Sequence, residues 1–398
     1  MRTVKRNPYL SGAAAILGGL MITAGAVNAH VTSDRPAGLI VIPKLIFDSD
    51  GDLGVLTGNG DPVDTEIQIT NVSDQQVKLR CFYVNANSHC TNDPTRVCST
   101  AADCQTPIPG GLCFEGWIET DFEFTMTPRQ PMIWRISEGL FSLPLSSQEG
   151  SIPAVNEDPF LGELKCFQVG PDDAPIDRND IKAEVSIITY SESAIDARAY
   201  NGIGILAIEG RNDGDNTLIL GGEDPEYNGC PNVLILNHFF DDAVEPVSGQ
   251  YVKTHLTLVP CSQNFLLQDV ALFNTTAQFL VFNEFEQRFS ASRPVRCFKE
   301  FELCSLGTGR DRSILDTDPT SNSCQFSVFS AFVAGTLTGQ TRIRGVDDGS
   351  PFHGNGLLGV AEEFYRTSPD DLSTVRATTA FNIHWAGERA TPDFITVP

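Results

Sequence analysis

The chain has 398 residues, with 51 acidic against 27 basic side chains and a formal net charge of −24. Nucleic acids and anionic membrane surfaces bind basic faces, so this excess of acid argues against both as partners. With 41% hydrophobic residues the chain can bury a core, and its length predicts about two domains.

Residues 1–29 predict a secretory signal peptide. Three basic residues precede an apolar run that ends at the small residue Ala29, which is the usual order of a basic region, a hydrophobic region and a cleavage site. The alternative is an uncleaved membrane anchor, which the glycines within the run disfavour. We therefore expect a mature chain that begins at His30, does not insert into a membrane, and is secreted or periplasmic.

Short runs of alternating residues predict β-strands along the rest of the chain. In "TEIQITNVSDQQVKLRCFYV" (65–84), apolar and polar residues alternate on both sides of a polar turn, as in an antiparallel hairpin. Similar runs bounded by Gly, Pro, Asn and Asp continue to "TAFNIHW" (379–385). Because long helical periodicity is nearly absent, the predicted fold class is all-β, with antiparallel β-sandwich domains.

Two pairs of short segments suggest an internal duplication. "NGIGILAIE" begins at Asn201 and "NGLLGVAEE" at Asn355, and later segments place His238 and His384 each before an aromatic residue. The common order of these segments predicts two tandem related sandwiches, over 30–247 and 248–398.

Eleven cysteines predict a disulfide framework. Four of them, from Cys90 to Cys113, are separated by seven, five and eight residues, whereas zinc ligand pairs favour two-residue gaps. Exported thiols are usually oxidised, so we expect a disulfide-stapled insertion at about residues 88–115. Three pairings of these four cysteines are possible, and we favour Cys90–Cys104 together with Cys98–Cys113. The other predicted bonds are Cys81–Cys166 between facing layers, Cys230–Cys261 and Cys304–Cys324.

The hairpin "DTEIQITNVSDQQVKLRCFY" resembles the strand-turn-strand of bacterial Ig-like adhesion and surface domains, over residues 39–83. The "RCF" strands and the cysteine insertion resemble a group of secreted bacterial proteins built from Ig-like β-sandwich domains. This resemblance implies Ig-like sandwiches outside the cytoplasm, and it transfers no catalytic residue.

The segment 48–61 is a candidate calcium loop. Asp48, Asp50 and Asp52 occupy positions one, three and five of a calcium-loop spacing, and Asp61 could complete the ligand shell. The Gly and Glu that an EF-hand requires at positions six and twelve are missing. Structural Ca²⁺ is therefore one hypothesis, and a solvated acidic loop is the other.

Two catalytic hypotheses remain open. After cleavage, His30 could bind copper through its amine and imidazole together with a second histidine, as in the lytic polysaccharide monooxygenases, although no other motif of that family is present. Glu284 and Glu286 have the spacing of a carboxylate pair on one strand face, and Asp241 and Asp242 follow His238. With 51 acidic residues such spacings are expected by chance, so we assign no catalytic residue.

The sequence has no Gly-x-Ser-x-Gly, HExxH or phosphate-loop motif. It therefore favours a secreted or periplasmic, non-catalytic, adhesion-like structural or binding protein. If the acidic loop is a calcium site, Ca²⁺ would stabilise this protein. Its expected partner is a protein or glycan at the cell surface, contacted by aromatic residues such as Phe82, Phe239 and Trp385 unless these pack in the core. The alternative is an extracellular glycan-active enzyme, either a carboxylate hydrolase or an N-terminal-histidine copper oxidase.

Overall fold

The structure is a computed structural model that describes residues 31–51, 60–98, 101–105, 109–114, 117–140, 150–191, 195–267, 274–306, 327–347, 354–368 and 376–398. Regular structure in these ranges is almost entirely β, with a single four-residue α-helix, α1 (Ala331–Ala334), and short 3₁₀ turns. The all-β prediction is confirmed. None of the helices in these ranges has the length and apolarity needed to cross a bilayer.

The described strands have the following bounds in chain order: β1 (Val31–Thr32), β2 (Leu39–Phe47), β3 (Val63–Asn71), β4 (Val77–Asn85), β5 (His89–Cys90), β6 (Asp93–Val97), β7 (Cys113–Phe114), β8 (Ile118–Met126), β9 (Pro131–Arg135), β10 (Phe160–Val169), β11 (Ile181–Tyr190), β12 (Ile195–Asn201), β13 (Ile203–Ile205), β14 (Thr217–Leu220), β15 (Pro231–Phe239), β16 (Tyr251–Pro260), β17 (Gln263–Asn264), β18 (Asn274–Asn283), β19 (Arg288–Arg296), β20 (Lys299–Glu302), β21 (Thr338–Asp347), β22 (Leu357–Arg366), β23 (Arg376–Asn382), β24 (His384–Glu388) and β25 (Asp393–Thr396).

The N-terminal half forms two antiparallel sheets. Sheet I has the order β1-β13-β2-β10-β4-β8, and sheet II has the order β12-β11-β3-β9. Ile67 and Ile69 of β3 are buried while Glu66 and Gln68 are partly exposed, so sheet II turns one apolar face inward, as its alternating sequence predicts. In sheet I, by contrast, β2 and β10 are buried along almost their whole length.

The C-terminal half forms a second pair of sheets. Sheet III has the order β19-β18-β21-β15-β24 and sheet IV the order β20-β16-β22-β23, and both contribute to one apolar cluster that includes Leu236, Leu256 and Phe279. The larger cluster in the N-terminal half also takes in Val259 and Val360 of sheet IV. The two halves therefore share a buried interface, which explains why β2 and β10 of sheet I are buried on both faces.

Strand pairing divides the chain earlier than the predicted boundary at residue 247. The strand β15 pairs with β21 and β24 of the C-terminal half, so the division falls between Ile205 and Pro231. The two histidine segments also lie side by side, because Ile235, on the same strand as His238, is paired with His384. They are neighbours in sheet III and not equivalent strands of two domains, so these segments do not support a duplication.

The described disulfides follow the pairings favoured from the sequence. Cys90 is bonded to Cys104 and Cys98 to Cys113 within an excursion that forms its own sheet, β6-β5-β7, between the paired strands β4 and β8. The bond from Cys230 to Cys261 is also present. Cys304 is disulfide-bonded, and its predicted partner Cys324 lies outside the described residues.

The bond from Cys81 to Cys166 differs from the prediction in its location. The two cysteines lie directly opposite each other on the adjacent strands β4 and β10, with their Cα atoms 4.1 Å apart. This bond therefore ties neighbouring strands of sheet I together and does not join two facing layers.

Replacing Cys81 and Cys166 together by alanine should lower the free energy of unfolding by about 2–5 kcal/mol, because the bond closes a long loop within the core of sheet I. The matched variant Cys90→Ala/Cys104→Ala should affect the urea midpoint less and should instead expose the excursion to protease. Equal losses in urea midpoint for the two variants would contradict this assignment.

Candidate functional site

Four charged side chains form a buried ionic cluster between the two halves, which we call the junction cluster: Lys44, Arg198, Glu300 and Glu362. The Lys44 Nζ lies 2.5 Å from Glu300 Oε1 and also contacts Glu362, and Arg198 Nε donates to Glu362 Oε1 at 2.5 Å. No side chain of the cluster is more than 1% exposed. Two cations face two carboxylates, so the cluster can be neutral overall.

The four side chains come from three different sheets. Lys44 lies on β2 of sheet I and Arg198 on β12 of sheet II, whereas Glu300 and Glu362 lie on β20 and β22 of sheet IV. The Tyr200 hydroxyl accepts a hydrogen bond from Lys44 N at 3.1 Å and donates one to Lys44 O. Lys44 is therefore fixed through its backbone as well as through its ammonium group.

A second set of buried charges continues from the junction cluster along β16. His255 lies between two carboxylates, with Nδ1 3.8 Å from Glu300 and Nε2 3.7 Å from Glu302. Burial by itself would lower the pKa of His255, but these carboxylates outweigh it and raise the pKa. Farther along the strand, Lys253 pairs with Asp242 at 2.8 Å.

The surroundings of Glu362 in the junction cluster favour its carboxylate form. Burial alone would raise this pKa, but the charges of Lys44 and Arg198 and their hydrogen bonds lower it to about 2. Glu362 is therefore a carboxylate at neutral pH, enclosed with its cations away from solvent. Because a catalytic group must reach its substrate, we assign this cluster a structural role.

The candidate calcium loop is only partly described. Asp48 is fully buried, and its carboxylate accepts a hydrogen bond from Gly51 N at 3.0 Å, whereas Asp50 is exposed. Within the described ranges, the groups of three or more potential ligands within 4.8 Å of one another are disulfide sulfurs, in one case with Asp393. Asp52 lies outside those ranges, and calcium binding stays a prediction.

The described histidines lie on four different strands, β5, β15, β16 and β24. His89 Nε2 is hydrogen-bonded to Glu157 Oε1 at 2.6 Å, and His384 is exposed on β24. His238 is buried and hydrogen-bonded to Thr341 Oγ1 at 2.8 Å, and burial lowers its pKa to about 4. His30 lies outside the described residues, so the copper hypothesis stays a prediction.

The carboxylate pairs considered for catalysis lie beyond the ends of strands and not on a strand face. Glu284 and Glu286 follow the end of β18 and lie in a turn, not on one strand face, and Glu284 Oε1 accepts hydrogen bonds from Thr338. Asp241 is buried and accepts hydrogen bonds from Thr254 N and Cys304 N, each at 2.8 Å. The Asp241 carboxylate is therefore held in the interior by backbone N–H groups.

The aromatic residues considered for partner contact are buried or partly buried. Phe82 is buried and stacks on Phe265 with ring centroids 4.0 Å apart. Phe239 is partly buried, and Trp385 packs against both apolar clusters. Phe82 is therefore a core residue and not a surface contact.

The outer face of sheet III carries a concentration of arginines. Because alternate residues of a strand point to opposite faces, the buried core positions of β18, β19 and β21 define which positions point outward. These outward positions include no acidic residue, and they include four arginines. We call this surface the arginine face, and its cations are Arg288, Arg296, Arg342 and Arg344.

An open depression of about 710 Å³ lies on the arginine face. Arg342 and Arg344 line it together with three polar side chains, Gln278, Ser290 and Ser292. Arg342 also lies over the ring of Phe282, 5.7 Å from its centroid. The volume lies in the range of small-ligand sites, and the lining offers both charged and neutral hydrogen-bond donors.

The arginine face was missed in the sequence because net charge is summed over the whole chain. The signal was nevertheless visible as alternation in "TRIRG" and "RFSASRPVR", where arginines recur on one parity of a predicted strand. Which strands lie side by side could not be read from these fragments, since β21 and β19 are far apart in the sequence and meet only through β18.

No protein-family model and no curated protein matches the chain.

Replacing Glu362 by Gln should cost about 3–5 kcal/mol of unfolding free energy, because Lys44 and Arg198 would lose their shared carboxylate while remaining buried. The measurement is urea denaturation followed by tryptophan fluorescence. Asp74→Asn, which breaks the exposed pair with Arg129, is the control and should leave the midpoint unchanged. Similar midpoints for the two variants would rule out the structural role.

The effect of Glu362→Gln should also depend on pH. The folded pKa of Glu362 is about 2 against an ordinary 4.5, so its contribution to stability is complete above 4.5 and is lost as the pH falls toward 2. The difference in urea midpoint between the native protein and the variant should therefore be largest at pH ~7 and much smaller at pH ~3. A difference that stays constant across this range would show that Glu362 is not ionised in the folded protein.

Proposed function

We propose that this chain is a secreted or periplasmic, non-catalytic binding protein that presents the arginine face to an anionic partner. The observation that carries the proposal is the contrast between this face and the rest of the molecule. A chain with a net charge of −24 places four arginines and no acid on the outward positions of three adjacent strands. Oppositely charged faces steer partners and fix their orientation, so such a concentration favours binding.

The arginines of the depression are available for a partner. Among the described residues, Arg342 and Arg344 have no ion pair, although carboxylates are abundant elsewhere on the surface. Some other exposed arginines are paired, as Arg211 is with Asp224 and Arg129 is with Asp74. An arginine left without a carboxylate in a strongly acidic protein supports recognition of an external anion.

Binding is favoured over catalysis by the surroundings of the depression. Its lining contains no carboxylate, histidine or cysteine that could serve as acid, base or nucleophile. The buried acids and the lysine of the junction cluster are held in ion pairs that have no access to solvent. These features support a site that holds a ligand without transforming it.

The compartment follows from the sulfur chemistry. The described disulfides indicate an oxidising environment and therefore a location outside the cytoplasm. Partners on the outer face of sheet III would then be exported polymers or surface molecules. The two tandem sandwiches, which we propose to be Ig-like, would serve as the rigid support.

The purified, oxidised protein should be retained by an immobilised polyanion and not by neutral dextran, and retention should weaken as salt is raised. In the same samples, assays for new reducing or oxidised sugar ends should give no signal. Released ends would favour the glycan-active enzyme, and absence of retention on polygalacturonate, heparin and polyglutamate alike would overturn the proposal.

A further inference from the structure

We propose that the ligand of the arginine face is an acidic polysaccharide whose sugar carboxylates are bound by Arg342 and Arg344. This inference rests on the proposed function and names its ligand class. It is drawn from three properties of the depression: the spacing of its cations, the neutral polar groups beside them, and its position in the sheet.

The two cations are placed to bind successive carboxylates. Arg342 and Arg344 are two residues apart on β21, so their side chains leave the sheet roughly 7 Å apart on the same face. A guanidinium group binds a carboxylate through two parallel hydrogen bonds, which a lysine cannot do. The pair can therefore hold two acidic groups of one chain or grip one group from two sides.

Neutral polar groups lie in register with each arginine. One row across three strands contains Ser290, Leu280 and Arg342, and the next contains Ser292, Gln278 and Arg344. Each row spans two strand spacings, about 10 Å. The side chains of both serines and of the glutamine make no hydrogen bond with other described residues, so they are free to bind hydroxyl groups. A ligand with carboxylates and hydroxyls on the same units matches this pattern.

Apolar surface lies between the polar groups. Leu280 sits between Ser290 and Arg342, and Val233 lies at the edge of the depression. Phe282 is partly buried, with the Arg342 guanidinium over its ring. The C–H faces of sugar rings pack against such surface while their hydroxyls bond to neighbouring polar groups.

An acidic peptide fits the same face less well. Extended peptides usually bind by adding a strand to a free sheet edge, where backbone groups are unpaired. Arg342 and Arg344 lie on β21, which is paired on both sides, with β18 and β15. The depression therefore offers side-chain contacts only, as a polysaccharide site would.

The test is calorimetric binding of oligogalacturonate to the full, oxidised protein. The variant Arg342→Gln/Arg344→Gln should bind at least about 10-fold more weakly, since each arginine contributes a charge-assisted hydrogen bond. The control Arg129→Gln/Arg211→Gln makes the same change in net charge at two exposed ion pairs elsewhere and should bind normally. Thermal melting of both variants checks that each remains folded.

Two further probes separate this inference from the proposed function. Fully methyl-esterified oligogalacturonate keeps the sugar hydroxyls and lacks the charge, so it should not bind. If polyglutamate binds as tightly as oligogalacturonate and also depends on Arg342 and Arg344, the ligand class is wrong while the binding function stands. Binding of oligogalacturonate that is unaffected by Arg342→Gln/Arg344→Gln would place the ligand elsewhere and overturn the site.

Discussion

The ion pairs of Lys44 and Arg198 with Glu362 constrain the rest of the structure. Transferring these charges out of water is expensive, and the cost is offset only while all of them remain paired. Because the cations come from sheets I and II and the carboxylate comes from sheet IV, a different close packing of the halves would leave buried charges unpaired. The junction therefore specifies one arrangement of the two pairs of sheets, whether or not it adds net stability compared with an apolar interface.

This strongly acidic chain places its few basic residues in two kinds of surroundings. Some are enclosed with carboxylates, as Lys44 is at the junction and Lys165 is beside Glu163. Others, such as Arg342 and Arg344, gather on one outer face. Net charge describes the average field at a distance, whereas a ligand within a Debye length responds to the side chains that it contacts. An overall charge of −24 is therefore compatible with an anion-binding face.

The predictable part of the fold is the part that is encoded locally. The strands β3 and β4 follow from alternation on both sides of a polar turn, and the cysteine excursion follows from its spacing. The predicted antiparallel hairpin is wrong, because β3 pairs with β9 and β11 in sheet II and β4 pairs with β8 and β10 in sheet I. The pairing of β15 with β21 depends on contacts about 100 residues apart, which short segments do not encode. A lysine in the apolar strand "LIVIPKLIF" was the available sign of the junction, but its partners Glu300 and Glu362 are brought to it only by the complete fold.

One continuous stretch of chain connects the junction to the arginine face. The strand β19 carries Arg288 and Arg296 on sheet III, and after a sharp corner at Cys297, where φ is 24°, the chain enters β20 of sheet IV and supplies Glu300 to Lys44. The corner thus holds one end of the arginine face at a fixed distance from a buried ion pair. A site built on strands that are fixed in this way loses little conformational entropy when it binds. Under the proposed function, weakening the junction by Glu362→Gln should therefore reduce the calorimetric affinity for oligogalacturonate without removing any group of the arginine face.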